Sequence, residues 1–359
     1  MPTIDNQHKT WNFIKRSLLL FIGLIIVGCK SQENSITFQS MDTAMTIKSF
    51  GKNSKKANLL AQKKIFDLDK ILSAVDNQSE LYALNHSCGK KFKPTYELES
   101  LIKFGLEKAE ITGGAFNPLL FPVTYEWGFT SKNYKLPSKE RIEELLILTD
   151  YKKVFFEDEN IFLPEGMAFD FGALGKGFAG DEAIKILADN GIESAVLDLG
   201  GNIQLLGKKN GTENWKIGLR NPFGGTDPSD IVQGSVPLAL ELSDCAVITS
   251  GGYERYFTAD NGKKYIHILD GRSGYPVENG IASSTIIAKN GLYADYLSTT
   301  SFILGKEETR KIWEKAGDFE FIMIFSDGSI SYTSGLKDKI TLLEKFTAEE
   351  IIEKQFGKL

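Results

Sequence analysis

Asp170-Phe171-Gly172-Ala173-Leu174-Gly175-Lys176-Gly177-Phe178-Ala179-Gly180 is the stretch on which the fold class turns. It reads as a strand, Met167–Phe171, that runs through a glycine-rich turn into a helix ending near Asn190-Gly191. Glycines let the backbone approach a ligand closely. The new helix points unpaired N–H groups and the positive end of its dipole at whatever sits there, and Lys176 adds a mobile cation. Such a turn suits a pyrophosphate. Gly175, Gly177 and Gly180 also satisfy G-x-G-x-x-G, and Asp198 stands about where the ribose-binding acid of a Rossmann unit would lie. The same letters equally describe a tight turn with no ligand, so the flanking pattern decides. In both directions strands and helices are mixed without the regular βαβ alternation of a doubly wound sheet. The chain therefore reads as α+β, with a helix-rich N-terminal half and a sheet-rich C-terminal half.

Upstream of the turn, residues 36–50 are β-branched and aromatic with partial alternation, a strand or hairpin. Leu59, Leu60, Ile65, Leu68, Ile71 and Leu72 recur at helical spacing and predict an amphipathic helix over Ser54–Leu72. A second helix fits Leu98–Thr112, closed by Gly113-Gly114, and a third Ser138–Leu148 with Ser138 as N-cap. Lys153–Phe156 and Ile161–Leu163 read as a hairpin. Downstream, strands fit Ala195–Leu199, Ile203–Leu206, Trp215–Leu219, Val236–Glu241, Ala246–Thr249, Arg255–Thr258, Tyr265–Leu269, Ser283–Ala288 and Phe319–Phe325. Helices fit Gly291–Leu304 and Glu307–Lys315, and a last helix is expected at the C-terminus.

The start of the chain carries an address. Ser17–Gly28 is apolar, follows Lys15-Arg16, and closes with Ile26-Val27-Gly28-Cys29. A basic n-region, an apolar h-region and a small residue before cysteine make a bacterial lipoprotein signal. An uncleaved membrane anchor is the other reading, but the run is short of the roughly 20 residues that a span needs. The expected organisation is a signal peptide over residues 1–28, a polar tether over 29–35 and one large domain over 36–359, with two subdomains an option. Lipidation at Cys29 would hold the domain to a membrane, outside the cytoplasm, with the periplasmic face favoured.

The formal charge of -5 argues against a nucleic-acid surface. An acidic protein that handles phosphate must supply positive charge locally, from a metal, a Lys or Arg, or a helix end. Beyond Cys29 the cysteines are Cys88 and Cys245, read as unpaired, with no CxxC and no zinc pattern. Beyond the signal the histidines are His86 and His267, so any imidazole chemistry falls to one of these two.

Two further strings carry chemistry. Asp295 and Thr299, in Ala294–Thr299, are four apart on a helix, so their oxygens share a face. A carboxylate beside a hydroxyl suits a hard cation such as Mg²⁺, though an early-helix Asp also simply favours the dipole. His267 sits on a strand before a turn holding Asp270 and Arg272, a place from which an imidazole can act as general base or merely make a structural hydrogen bond. Asp198–Asn202 and Thr249–Tyr253 add two glycine pairs at strand ends.

Taken in order, these strings resemble the FAD:protein FMN transferase (ApbE) family over nearly the whole chain after the signal. The matching segments are Met41-Asp42-Thr43, Ser79-Glu80-Leu81 with Asn85, Thr112–Pro118 with Trp127-Gly128-Phe129, Asp170–Gly177, Asp198–Gly201, Thr249–Gly252, His267–Gly274 and Ala294–Thr299. The resemblance implies a central nucleotide cleft and a Mg²⁺-dependent enzyme. Such an enzyme splits the pyrophosphate of FAD, attaches FMN by a phosphoester to a Thr or Ser hydroxyl of an acceptor protein, and releases AMP. Typical acceptors are subunits of membrane redox complexes. It implies metal contacts at the main-chain oxygen of Ala173 and the side chains of Asp295 and Thr299. It implies flavin-nucleotide contacts at Met41, Ala115, Phe116, Asn117, Asp170, Lys176 and Leu269, with His267 as base. This sequence departs from the family pattern in four places. Asn117 stands where Asp is usual, Gly271 where Pro is usual, Ser273 where Thr is usual, and Val75 where an aromatic residue often stands. The alternatives are an FAD pyrophosphatase releasing free FMN and AMP, a nicotinamide-dependent oxidoreductase, and a non-catalytic flavin-binding lipoprotein.

Overall fold

Met41 (φ 48°) and Asp42 (φ 60°) both adopt left-handed backbone and turn Glu33–Ser40 (β1) directly into Thr43–Phe50 (β2). Two residues at positive φ give the turn whose twist matches a hairpin, but a side chain as bulky as Met41 is rare there. Asp69 holds it: its carboxylate accepts from the Met41 N–H at 3.0 Å and the Ser40 hydroxyl at 2.8 Å. This computed structural model describes residues 32–223, 236, 238–260, 262–342 and 348–351. The signal, Cys29 and most of the expected tether lie outside those residues, and β1 begins at Glu33 rather than at residue 36, so the last tether residues are strand.

Seven more strands complete the main sheet: Ser194–Asp198 (β3), Asn202–Leu206 (β4), Ala246–Gly251 (β5), Ile281–Ala288 (β6), Phe319–Phe325 (β7), Ile330–Thr333 (β8) and Ala348–Ile351 (β9). Their spatial order is their chain order, antiparallel throughout except for the parallel β8–β9 pair. Both faces are covered, so neighbouring residues on a strand are buried on opposite sides. Ile248 and Ile286 face three helices, Ser54–Leu72 (α1), Gly175–Asp189 (α2) and Gly291–Leu304 (α3). Val247 and Ile287 instead face a small sheet of Trp215–Leu219, Leu238–Leu242 and Ile340–Leu342.

The chain between β2 and β3 forms the helix-rich lobe. Thr95 caps Tyr96–Ile111 by accepting from the Leu98 N–H, and Ser138 caps Lys139–Leu146 by accepting from the Arg141 N–H. Two short helices, Glu80–Asn85 and Phe121–Glu126, were not evident from the sequence pattern. Between β5 and β6 come two short hairpins, Tyr256–Thr258 with Lys264–Ile266 and Leu269–Asp270 with Tyr275–Pro276. Trp127, Phe129 and Tyr265 pack these hairpins onto the lobe, and the Trp127 indole N–H donates to the Gly274 carbonyl at 2.9 Å.

Two expected elements are not found among the described residues. Met167–Phe171 is not a strand. Its polar backbone is satisfied elsewhere: Asn85 brackets Phe169, accepting from its N–H at 2.8 Å and donating to its carbonyl at 3.0 Å, and the Asp170 N–H reaches the Pro118 carbonyl at 2.8 Å. After β7 the described residues form β8, a short 3₁₀ turn and the strands Ile340–Leu342 and β9, not a C-terminal helix, because Ile330–Thr333 offers an open edge that β9 pairs.

The glycine run serves packing. A Cβ on Gly177 would lie 2.3 Å from the Gly291 carbonyl oxygen, and one on Gly180 would lie 2.1 Å from Gln204 Nε2. Helices α2 and α3 therefore cross at backbone contact and cap each other. Asp181 accepts from the N–H groups of Gly291 (2.5 Å) and Leu292 (2.8 Å), while Asp295 accepts from the Gly177 N–H (2.8 Å). Gly177→Ala is expected to cost about 3 kcal/mol or more, since the obstacle is backbone that cannot swing aside. A denaturation midpoint equal to wild type would contradict this packing role.

Candidate active site

The crossing of α2 and α3 sets one wall of a cleft of about 440 Å³. Asp295 is only 5% exposed, and only its Oδ2 accepts a hydrogen bond among the described residues. Burial pushes its carboxyl above the usual range; the Lys176 ammonium and the Gly177 N–H oppose this, and the nearby Glu254 carboxylate adds to it. Thr299 lies one turn on, its hydroxyl 3.1 Å from Ser250 Oγ, which also meets Ser298 Oγ at 2.8 Å. Ala173, Gly175 and Lys176 of the turn line the same cleft, and Asp170 closes the turn by accepting from the Gly172 N–H at 2.8 Å. The expected helix-end cradle is partly spent. The Gly175 N–H goes to the Phe171 carbonyl at 2.7 Å and the Gly177 N–H to Asp295. The positive charge for an anion at this end thus comes from Lys176 and the helix dipole.

Ala115, Phe116, Asn117 and Leu269 also line the cleft, with Met41 from the tip of the β1–β2 hairpin. Here two departures find reasons. The Asn117 amide donates to the Thr149 carbonyl at 2.9 Å while its oxygen accepts from the Leu119 N–H at 3.0 Å, and a carboxylate at this position cannot donate. The Gly271 N–H donates to the Ala115 carbonyl at 3.0 Å, and a Cβ there would meet the Gly114 oxygen at 2.3 Å; proline has neither the hydrogen nor the room. Val75 also lines the cleft, 57% exposed.

His267 enters from the hairpin loop, half-buried, with its Nδ1 3.0 Å from the Arg255 carbonyl. A carbonyl only accepts, so Nδ1 carries the hydrogen and Nε2 keeps its lone pair. Burial drives the ring's pKa down to about 4, helped by the charges of Arg255 and Lys176 and resisted by the bond to the Arg255 carbonyl. The imidazole is therefore neutral at physiological pH, the form a base requires. His86 instead stacks on Tyr82 with ring centroids 3.9 Å apart and is absent from the cleft lining.

All eleven expected site residues within the described chain line this one cleft: Met41, Ala115, Phe116, Asn117, Asp170, Ala173, Lys176, His267, Leu269, Asp295 and Thr299. Asp198 does not. Its carboxylate folds back on the N–H groups of Gly200 (3.0 Å) and Gly201 (3.1 Å), and with Gly177 and Gly180 committed to packing, the dinucleotide fingerprint is not realised. Glu254, Arg255, Ser250 and Asn202 also line the cleft and were not singled out individually in the sequence. Burial raises the Glu254 carboxyl against the pull of Lys176, Arg220 and Arg255. The adjacent Glu254-Arg255 pair just after Gly251-Gly252 was the available signal. Cys88 and Cys245 are both free thiols, as expected.

Among the described residues no cluster of three or more His, Cys, Asp or Glu is arranged for a metal. Asp295, the Thr299 hydroxyl and the Ala173 carbonyl, all in the cleft lining, would offer a cation oxygen donors alone, one of them a carboxylate. That set fits Mg²⁺, which typically takes one or two carboxylates and leaves other positions to water and substrate phosphate.

The fold recurs in solved proteins. The ApbE protein of Thermotoga maritima superposes with a TM-score of 0.78 at 31% identity, over 86% of this chain and 99% of that one. The apo form of the Pseudomonas stutzeri flavinyl transferase ApbE gives 0.75 at 25% identity, over 86% and 97%. A curated FAD:protein FMN transferase from Treponema pallidum is 32% identical over 292 residues, 76% of this chain and 78% of that one. Another with the same name, from Vibrio cholerae, is 27% identical over 342 residues, 91% and 97%. Fold and cleft thus define an α+β protein of the ApbE structural class. The ApbE family profile matches residues 41–323, and the chain belongs to that family.

Proposed function

We propose that this protein is an FAD:protein FMN transferase, attaching FMN to a Thr or Ser hydroxyl of an acceptor protein and releasing AMP. The observation that carries the reading is the convergence of residues from Met41 to Thr299 on one cleft whose polar wall pairs a buried carboxylate and a lysine with an uncharged imidazole. His267 Nε2 takes the hydroxyl proton of the acceptor. The freed oxygen attacks the FMN-side phosphorus, the P–O bond of the anhydride breaks, and AMP leaves with that electron pair. Lys176 offsets the growing charge on the phosphates. Mg²⁺, when held by Asp295, Thr299 and the Ala173 carbonyl, supplies neutralisation of the pyrophosphate oxygens.

The N-terminal pattern ending at Cys29 supports a lipid-anchored enzyme outside the cytoplasm, with an acceptor in a membrane redox complex. The test is mass spectrometry of a purified candidate acceptor incubated with FAD and Mg²⁺. The expected result is one added FMN on a Thr or Ser. Free FMN and AMP with no adduct would replace transfer by hydrolysis, and metal-independent FAD binding without turnover would make the protein a binder.

A further inference from the structure

Asn202 opens β4 at the polar end of the cleft, paired across the sheet with Ile248, one residue before Thr249 and two before the Ser250 that touches Thr299. It is 1% exposed, yet its Nδ2 has no hydrogen-bond partner among the described residues. A buried amide N–H left unpaired is costly, and native proteins keep few of them. The orientation of the amide follows from its neighbours. Gln204 Nε2 lies 2.9 Å from the Gly177 carbonyl, which only accepts, so that nitrogen is correctly placed as donor. The same nitrogen lies 3.5 Å from Asn202 Oδ1, a long contact that still favours oxygen on that side and turns Nδ2 away. Gly180 and Gly291 leave the room for Gln204, since a Cβ on either would fall 2.1 or 1.8 Å from Nε2. The chain Asp295–Gly177–Gln204–Asn202 is thus one connected arrangement, and its last member, which lines the cleft, carries an unpaired donor.

We propose that Asn202 is a further substrate-binding residue whose amide donates to a phosphate oxygen of the bound nucleotide, beside the Asp295–Thr299 corner. This rests on the flavin-nucleotide reading for the identity of the ligand, but the donor itself asks only for a phosphate oxygen. Equilibrium binding to Asn202→Ala and Asn202→Asp tests it, with FAD, inorganic pyrophosphate and riboflavin as probes, in the presence of Mg²⁺. Hydrogen bonds to charged groups lead to an expected loss of about tenfold to a hundredfold for FAD and pyrophosphate in Asn202→Ala, and more in Asn202→Asp, which adds a repelling charge. Riboflavin, which has no phosphate, should bind both variants as it binds wild type. The melting temperature of ligand-free Asn202→Ala should fall only slightly, because Nδ2 is unpaired there and Oδ1 gives up only the long 3.5 Å contact from Gln204.

FAD and pyrophosphate affinities within twofold of wild type would overturn the proposal. So would a markedly lowered melting temperature with equal loss of all three probes, which marks a structural residue. Wild type that binds pyrophosphate but not FAD would sink the flavin reading and leave the Asn202 comparison standing; wild type that binds neither would sink both.

Discussion

Asp295→Ala lowers FMN transfer by at least about 10²–10³, the usual loss when one electrostatic contact to a reacting group is removed. The reason is specific to its position. This carboxylate is buried, accepts among the described residues only from the Gly177 N–H, and is raised in pKa by burial, so a bound cation would stabilise its charged form. Alanine also strips the cap from Gly177, and a loss of fold would confound the result. Asp295→Asn keeps an oxygen for that N–H and removes only the charge. The expected outcome is a melting temperature near wild type with transfer still crippled and no longer saturable in Mg²⁺. Full transfer by either variant at excess Mg²⁺ would take Asp295 out of the chemistry.

His267→Ala lowers transfer by about 10²–10⁴, the range for loss of a general base, while His86→Ala leaves it unchanged because His86 stacks on Tyr82 and bonds its carbonyl, outside the cleft lining. The pH profile sharpens the expectation. With a pKa pushed down to about 4, His267 stays unprotonated to well below neutrality, so kcat/KM should hold from pH 7 towards 5 and fall as the pH approaches 4. Asp295 adds a second acid limb, since its protonated form holds no cation. That limb should move to lower pH as Mg²⁺ is raised, whereas the His267 limb should stay. A stability consequence has the same sign. The unfolded ring titrates near 6.5 and the folded one near 4, so the stability gained from a neutral ring is present above 6.5 and is lost as the pH falls through that window. A transfer rate that fell in parallel with a pKa of 6.5 would show that the ring is not desolvated as described.

Much of this was legible in the letters. Helices α1 and α3 occupy the residues that their apolar spacing and flanks indicate, and Ser138 caps its helix as expected. The strings that meet at the cleft were visible as strings because glycine, a carboxylate or histidine, and a strand end recur together. What the letters concealed was partnership. Met167–Phe171 has strand composition, but a side chain on another element, Asn85, takes the hydrogen bonds that a ladder would. Gly177 and Gly180 match a phosphate-loop spacing, and only the crossing of two helices more than a hundred positions apart shows that they serve contact instead. Asn202 gave no signal, because being unpaired is a property of surroundings and not of residue type.

The sheet follows chain order, yet β2 and β3 are direct neighbours with the whole lobe from Gly51 to Glu193 looped out between them. Closing so long an excursion is entropically slow, and the wall that carries Asp295 is synthesised only after it. A polypeptide that stops short of α3 thus carries most of the cleft lining but lacks Asp295 and Thr299, so the polar corner is complete only when α3 has docked. Ligand occupancy then acts as a clasp across the finished molecule, stabilising it as one cooperative unit rather than rescuing either half.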